Sequence, residues 1–369
     1  MKIKRVVLTD FRSYTRLNWT PERSIAVLTG ENGAGKTNLL EAVSLLAPGR
    51  GLRNALPRQL ARHGATRWGV AGTIEKSGDV LDLGTGIAPE NSSRRLFQIN
   101  EQSVRTQGEV AQVFSAVWLT PQMDRLFLEA GSGRRRFLDR LVVALEPGHA
   151  REVAAHDQAL SQRNRLLAER PHEHAWLSAI EDSLARHAVA VTAARLALID
   201  AMNDLSLDLH GFPRSDLALE CAIGDFLKEM SALDTEDRLR SALAAARSTD
   251  RARGSASLGA QRADLLLRDR QSQRSAEYSS SGQQKAMLVG VILSHARLVT
   301  VQRGDAPVLL LDEPLIHLDE ERRRALLYAL NEIDGPVFLT GTETGPFSAL
   351  RGHADFCHIS DGQLLRDCS

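Results

Sequence analysis

Short apolar runs bounded by turn residues open the chain. Ile3-Lys4-Arg5-Val6-Val7-Leu8 and Ser24-Ile25-Ala26-Val27-Leu28-Thr29 are rich in branched side chains and predict strands. Val70 to Ile87 and Leu96 to Val104 alternate as hairpin strands do, with Asn100-Glu101 at a turn. Gly131-Ser132-Gly133 punctuates the chain. From Arg134 to about Leu209 the period becomes helical, with Phe137, Leu138, Leu141, Val142 and Leu145 on one face. Pro147-Gly148 and Pro171 interrupt it, which predicts two or three antiparallel helices. Ala150 to Glu169 reads as the longest uninterrupted piece, ~30 Å at 1.5 Å per residue, too short for a long coiled coil. Leu217 to Ile223 and Asp264 to Leu267 read as small strands, Ala232 to Ala246 as a helix, and 271–284 as a polar, serine-rich loop. Helix and strand then alternate. The end is a hairpin turning at Asp361-Gly362, between Phe356 to Ser360 and Gln363 to Leu365.

Composition narrows the class. The 369 residues are 43% hydrophobic and 25% charged, which excludes disorder and collagen-like fibres. Lys+Arg and Asp+Glu are both 46, so the chain is no globally basic nucleic-acid coat, and polyanion binding must come from local patches. Cys221, Cys357 and Cys368 lie far apart, without disulfide-framework or zinc spacing, and read as incidental or buried thiols. The start has no apolar secretory core, and no apolar stretch reaches the ~18 residues of a membrane span. The expectation is a soluble cytoplasmic protein with no membrane role.

Three motifs carry chemistry. The first is Gly30-Glu31-Asn32-Gly33-Ala34-Gly35-Lys36-Thr37, a G-x-x-x-x-G-K-[ST] loop followed by Asn38. A strand precedes it, and Leu39, Leu40, Val43 and Leu46 give it a helical face. Glycines let backbone N–H groups turn onto phosphate oxygens, and the helix N-terminus adds its dipole. Lys36 then reaches the β- and γ-phosphates of ATP and Thr37 holds Mg²⁺. The second motif is Val308-Leu309-Leu310-Leu311-Asp312-Glu313, a strand buried on both faces that ends in two acids. Asp312 is placed to order the Mg²⁺ shell and Glu313 to polarise an attacking water. The third is Ser279-Ser280-Ser281-Gly282-Gln283-Gln284-Lys285 before the apolar helix Ala286 to Val299. By itself it is also what an ordinary helix N-cap looks like. Leading into the acidic strand, it resembles the signature of ABC-type ATPases, with Ser280, Gly282 and Gln283 at the nucleotide-contacting positions. That resemblance implies contact with ATP held by the other subunit. One phosphate loop and one signature per chain then imply a head-to-tail homodimer around two ATP molecules.

The interval from Lys36 to Ser280 is longer than in transporter ATPases and shorter than in SMC proteins. Other stretches narrow the resemblance: Leu8-Thr9-Asp10-Phe11-Arg12-Ser13-Tyr14, Asn38 to Val43 with Gly49-Arg50-Gly51-Leu52-Arg53, Leu119-Thr120-Pro121-Gln122-Met123-Asp124, and Gly131 to Asp139. With these the chain resembles the RecF family of bacterial recombination mediators from residue 3 to 365. The resemblance implies an α/β fold: an ABC-type P-loop ATPase head, a mixed sheet with a β subdomain, plus an inserted, mostly helical second lobe of short antiparallel helices. The expected division is a head of 1–125 and 272–369 and a lobe of 126–271. It also implies that Gln122 is the Q-loop residue linking Mg²⁺ to the lobe, that Asp319 holds the D-loop position, and that Arg12 contacts nucleotide. Three positions depart from relatives: Ile316 replaces a D-loop serine, Ala260-Gln261 replaces Pro-His, and Thr342 stands near the place of a transporter's switch histidine. Lack of that histidine, general in the family, implies slow hydrolysis, and the family resemblance implies that the hydrolysis is DNA-dependent. His317 reads as a solvated side chain at a helix start.

Between Glu41 and Glu75 the sequence has no acid but carries Arg50, Arg53, Arg58, Arg62 and Arg67. Guanidinium forks suit phosphates, so these are the candidate DNA contacts, with Arg134-Arg135-Arg136 and Arg140 as a second cluster. A plain solvated surface is the alternative for any one of them. The family resemblance implies an ATP-gated clamp on double-stranded DNA at gaps or single-strand/double-strand junctions, without sequence specificity, working with RecR and RecO in RecA loading. Two other readings stay open: a nucleotide-dependent SMC-like scaffold with incidental hydrolysis, and a transporter-type ATPase subunit.

Overall fold

The computed structural model describes residues 1–88, 91–205 and 209–366; the side chains of 88, 91–93 and 366 are outside the description. Cys368 lies outside the described residues. In chain order, β1 (Lys2–Phe11), β2 (Tyr14–Trp19) and β3 (Ile25–Thr29) lead to α1 (Lys36–Ser44). β4 (Trp68–Lys76), β5 (Asp79–Ala88), β6 (Asn91–Ile99), β7 (Gln102–Ser103), α2 (Gln107–Val113) and β8 (Ala116–Leu119) follow. Then come α3 (Gly131–Leu145), α4 (His149–Glu169), α5 (His174–Asp204), β9 (Ser215–Glu220), α6 (Ala222–Glu229), α7 (Ala232–Ala245), α8 (Arg247–Arg253) and β10 (Asp264–Asp269). The chain closes with α9 (Ser281–Arg303), β11 (Val308–Leu311), α10 (Glu320–Asn331), β12 (Val337–Thr340), β13 (Ala354–Ser360) and β14 (Gln363–Arg366).

These elements form two compact units. The first comprises Met1–Arg125, Leu207–Arg214 and Ser279–Ser369; the second comprises Leu126–Ser206 and Ser215–Tyr278. The first unit holds two sheets. One is antiparallel, in the order β2-β1-β4-β5-β6-β7. Its hairpins turn where the backbone goes left-handed, at Ser77-Gly78 and at Asn100-Glu101. The other runs β14-β13-β3-β12-β11-β8, parallel except for the antiparallel edge strand β14. Every residue of β3, β8, β11 and β12 is buried, as unbroken apolar runs in a parallel sheet require. Leu39, Leu40 and Val43 of α1 pack into one core with Val6 and Leu8 of one sheet and Leu28, Leu310 and Phe338 of the other. That burial holds the start of α1 at the ends of β3 and β11.

The second unit is mostly helical, with β9 and β10 as an antiparallel pair. α4 and α5 run antiparallel: Arg163 pairs with Glu181, and Glu152, earlier in α4, pairs with His187, later in α5. α5 spans 31 residues, so the longest helix is this one and not Ala150 to Glu169. His174–Asp204 has neither Gly nor Pro, and a mixed apolar pattern without a single clean stripe hid its continuity. Gly131-Ser132-Gly133 forms the first turn of α3, after the break.

Two segments fall on the other side of the expected 126–271 division. Residues 272–278 belong to the second unit, because Ser275 still bridges to Arg268 and the Arg274 carbonyl accepts from the Asp269 N–H. Leu207–Arg214 belongs to the first unit, where Phe212 and Pro213 lie over Gly290; a Cβ there would stand 3.4 Å from the Pro213 carbonyl oxygen. The 271–284 stretch is not all loop, since α9 starts at Ser281.

Candidate nucleotide-binding and hydrolysis site

Residues 30–37 wind from the end of β3 into α1. Gly30 (φ 144°), Gly33 (φ 88°) and Gly35 (φ 115°) all adopt left-handed backbone, which costs other residues strain. Space is short as well: a Cβ on Gly30 would collide with the Ile359 carbonyl oxygen, and one on Gly35 would meet the Ser13 and Tyr14 hydroxyls at 2.9 Å. The β1–β2 turn backs this loop, with Tyr14 Oη donating to the Gly35 carbonyl at 3.0 Å and Asn38 Nδ2 donating to Ser13 Oγ. Lys36 folds over the loop and donates from Nζ to the carbonyls of Gly30 (2.6 Å) and Glu31 (2.9 Å). Burial lowers the pKa of this ammonium, while Glu313 and Asp312 oppose the shift. A buried lysine ammonium over carbonyls has much to gain from a phosphate oxygen.

The acidic strand end lies directly beside this loop. Thr37 Oγ1 donates to Asp312 at 2.9 Å (Oδ1) and 3.1 Å (Oδ2). Its lone pairs remain for a cation. Hard oxygen donors, one hydroxyl and one carboxylate completed by phosphate oxygens, fit Mg²⁺. Glu313 follows in left-handed conformation (φ 48°), on the turn after β11. Gln122 is exposed on the 3-10 turn Pro121–Arg125 after β8, the strand paired with β11 in register Leu119↔Leu311. The register therefore puts Lys36, Thr37, Asp312, Glu313 and Gln122 at one edge of one sheet, the carboxyl ends of parallel strands, where ligands of such sheets bind.

Two further residues join this site, one of them outside every motif. Thr340, fully buried at the end of β12, donates from Oγ1 to Asp312 Oδ1 at 2.7 Å and accepts the Glu313 N–H at 2.8 Å. Lys285, in α9, reaches the Glu313 carbonyl (3.2 Å) and Asp124 (3.6 Å). Burial lowers the Lys285 pKa, opposed by Asp124, and raises that of Asp124, opposed by Lys285. Lys285 was visible as the last residue of the third motif, but its contacts were not. Thr340 had only its place at a strand end as a signal.

The third motif is a helix N-terminus. Ser280 caps α9 by accepting from the Gln283 N–H, and the Gln283 side chain accepts from the Ser280 N–H. Ser280 and Gln283 are exposed. Gly282 approaches the backbone at His317, where a Cβ would lie 3.0 Å from the carbonyl oxygen. Asp319 caps α10 through the Arg322 N–H. His317 is exposed in the loop before α10, not at the helix start. Thr342, near the expected switch position, is also exposed.

Residues 25–341 match the family described as "AAA domain, putative AbiEii toxin, Type IV TA system". "DNA replication and repair protein RecF" of Mesorhizobium japonicum is 42% identical over 370 residues, covering 98% of this chain and 97% of that protein. The chain belongs to the RecF family. The protein of the same description from Allorhizobium ampelinum is likewise 42% identical, over 98% of both chains. The fold matches that of a solved "recombination mediator protein RecF-ATP in RecFOR pathway", with TM-score 0.85 and 21% identity over 100% of this chain and 98% of that one. It also matches an Smc head domain from Pyrococcus furiosus, with TM-score 0.53 and 14% identity over 99% of this chain and 96% of that one. The RecF fold is thus the P-loop ATPase head shared with SMC proteins, as expected.

In this RecF-family chain the candidate DNA arginines divide. Arg50, Arg58 and Arg67 are exposed. Arg53, though exposed as well, bonds Glu41 Oε2 (3.0 Å) and Asn38 Oδ1 (2.7 Å), and Arg62 bonds Asp10 (2.9 Å). Arg12, expected at the nucleotide, forms a bidentate pair with Glu41 at 2.8 Å and donates to the Gln59 carbonyl. A stretch without acids in sequence is thus supplied with acids in space. The second cluster is mostly internal. Arg134 pairs with Asp264, Arg135 donates to the Ala263 carbonyl, and Arg140 lies over the Phe137 ring with its pKa lowered by burial to about 9. Arg136 alone of these is exposed. Among the described residues no helix is long and apolar enough to cross a membrane.

Proposed function

We propose that this chain is an ATP-dependent DNA-binding protein of recombinational repair and replication, and an ATPase. The observation that carries the reading is the direct joining of phosphate loop and acidic strand end, Thr37 to Asp312, with Lys36 folded over the same loop. Lys36 and the loop amides hold the β- and γ-phosphates. Thr37 and Asp312 would hold Mg²⁺, with Gln122 at the end of the neighbouring strand, and the ion would supply charge neutralisation at the transferring phosphoryl group. Glu313 orients the attacking water. The names of the 42%-identical relatives support the role in DNA replication and repair. The RecF-ATP description supports ATP as the nucleotide and the RecFOR pathway as the setting.

In this reading Ser280, Gly282 and Gln283, with Asp319, act on ATP bound by a second copy. ATP closes the homodimer over duplex DNA at gaps or junctions, slow DNA-dependent hydrolysis releases it, and RecR and RecO join it in loading RecA. The exposed cap at Ser280 and Gln283 supports action across an interface. Arg50, Arg58 and Arg67 are the arginines best placed for DNA phosphates. Arg53 and Arg62 reach DNA, and Arg12 reaches nucleotide, only after leaving their acids. The test is sizing with and without ATP and Mg²⁺. Wild type is expected to dimerise with ATP, and Ser280→Arg to bind ATP yet stay monomeric. ATP-induced dimerisation of Ser280→Arg would overturn the signature's role in trans.

A further inference from the structure

We propose that Thr340 is a positioning residue for hydrolysis, its hydroxyl tying the Asp312 carboxylate and the Glu313 backbone into one hydrogen-bonded chain. The proposal rests on the hydrolytic reading of the site and adds a residue to it. β11 and β12 are parallel neighbours in register Leu311↔Leu339, so Thr340 stands beside Asp312 across the sheet. The polarity of the chain has only one solution. A carboxylate can only accept and an amide N–H can only donate, so the single hydroxyl proton goes to Asp312 Oδ1 and a lone pair takes the Glu313 N–H.

Both partners need the contact. Asp312 Oδ1 is held by Thr37 on one side and Thr340 on the other, which fixes the rotation of the carboxylate and, among the described residues, leaves Oδ2 with the Thr37 hydroxyl as its hydrogen-bond donor. Glu313 occupies left-handed backbone, a conformation a non-glycine residue keeps only when its surroundings over-determine it. The Thr340 oxygen and Lys285 grip its peptide groups from two sides, at the N–H and at the carbonyl. One side chain thus fixes the carboxylate that would hold the metal and the backbone that carries the acid assigned to the water.

The test compares Thr340→Val, which keeps shape and deletes the hydroxyl, with Thr340→Ser, which keeps the hydroxyl and deletes a methyl. ATPase kinetics are read together with fluorescent ATP-analogue binding across a Mg²⁺ titration and with melting temperature. For Thr340→Val, kcat is expected to fall about 10²-fold with KM little changed, as for a misplaced catalytic group. Half-maximal Mg²⁺ for analogue binding is expected to rise at least about 10-fold, as when an outer-shell partner of a metal ligand is lost. Analogue binding without Mg²⁺ and folding are expected to be retained, and Thr340→Ser is expected to restore both kcat and Mg²⁺ dependence. A valine variant with wild-type kcat and Mg²⁺ dependence overturns the proposal, as does a serine variant impaired equally with valine. Glu313→Gln serves as the control for the reading beneath it. If Glu313→Gln hydrolyses ATP normally, the hydrolytic site itself is misassigned; if it is inactive while Thr340→Val is normal, only the role of Thr340 fails.

Discussion

Glu41 is the most exposing point at which to perturb this molecule, because one buried carboxylate restrains two candidate ligand-binding arginines. Its side chain is 0% exposed, whereas those of Arg12 and Arg53 are 23% and 35% exposed. It accepts both hydrogen bonds of the Arg12 fork and one from Arg53. We predict two opposite effects of Glu41→Gln. Breaking a fully buried pair costs about 3–5 kcal/mol, but these guanidinium groups can rehydrate, so about 2 kcal/mol is expected. With a urea m-value near the upper end of roughly 1–3 kcal/mol/M, the midpoint falls by about 0.7–1 M. At the same time the arginines are released, and each one reaching a DNA phosphate steepens the dependence of log K on log salt by about 0.9. Fluorescence anisotropy with duplex DNA across a salt series, well below the new urea midpoint, reads that slope. Weaker stability together with an unchanged or shallower salt slope would refute the idea that Glu41 withholds Arg53 from DNA.

Three further expectations are independent of it. Lys36→Ala is expected to lose ATP binding and ATP-induced dimerisation, while Glu313→Gln keeps both and stays on DNA for at least about 10-fold longer, read by dissociation kinetics; equal behaviour of the two would contradict the cycle. Arg163, fully buried against Glu181, Asp250 and the Leu243 carbonyl, should cost about 3–5 kcal/mol when changed to Met, read by urea unfolding. Burial raises the pKa of Asp139, but hydrogen bonds from His149 and Arg195 outweigh it and hold the carboxyl at about 2. A pKa depressed on folding stabilises above the unfolded value of about 3.9, and that part is lost as pH falls through the folded value. The stability gap between wild type and Asp139→Asn should therefore narrow between about pH 4 and pH 2. A gap constant over that window would show that the pairs do not supply it.

The glycine-rich loop before α1, the acidic end of β11 and the capped start of α9 could be read from the sequence because each is local. A glycine pattern, an adjacent lysine and a flanking strand and helix are consecutive residues, so order along the chain is already proximity in space. The terminal hairpin and the turn at Asn100-Glu101 were legible for the same reason. Thr340 was not, since only the pairing of β11 with β12 brings it to Asp312 and Glu313. Arg53 and Arg62 looked free because Glu41 and Asp10 stand outside the interval that was read, and Arg134 looked free because Asp264 is far along the chain. The length of α5 was missed because no single apolar stripe marks a helix buried on several sides.

By itself, then, the sequence determined the kind of site: a phosphate loop, a strand ending in two acids, a signature-like helix start, and the family in which they occur together. The tertiary structure alone decided which charges are available and which groups act as one. Availability of a guanidinium depends on whether an acid lies within a few ångströms in space, and the hydrogen bonds that join Thr37, Asp312, Glu313 and Thr340 depend on strand register. Both are properties of residues remote in sequence, which a linear pattern does not encode.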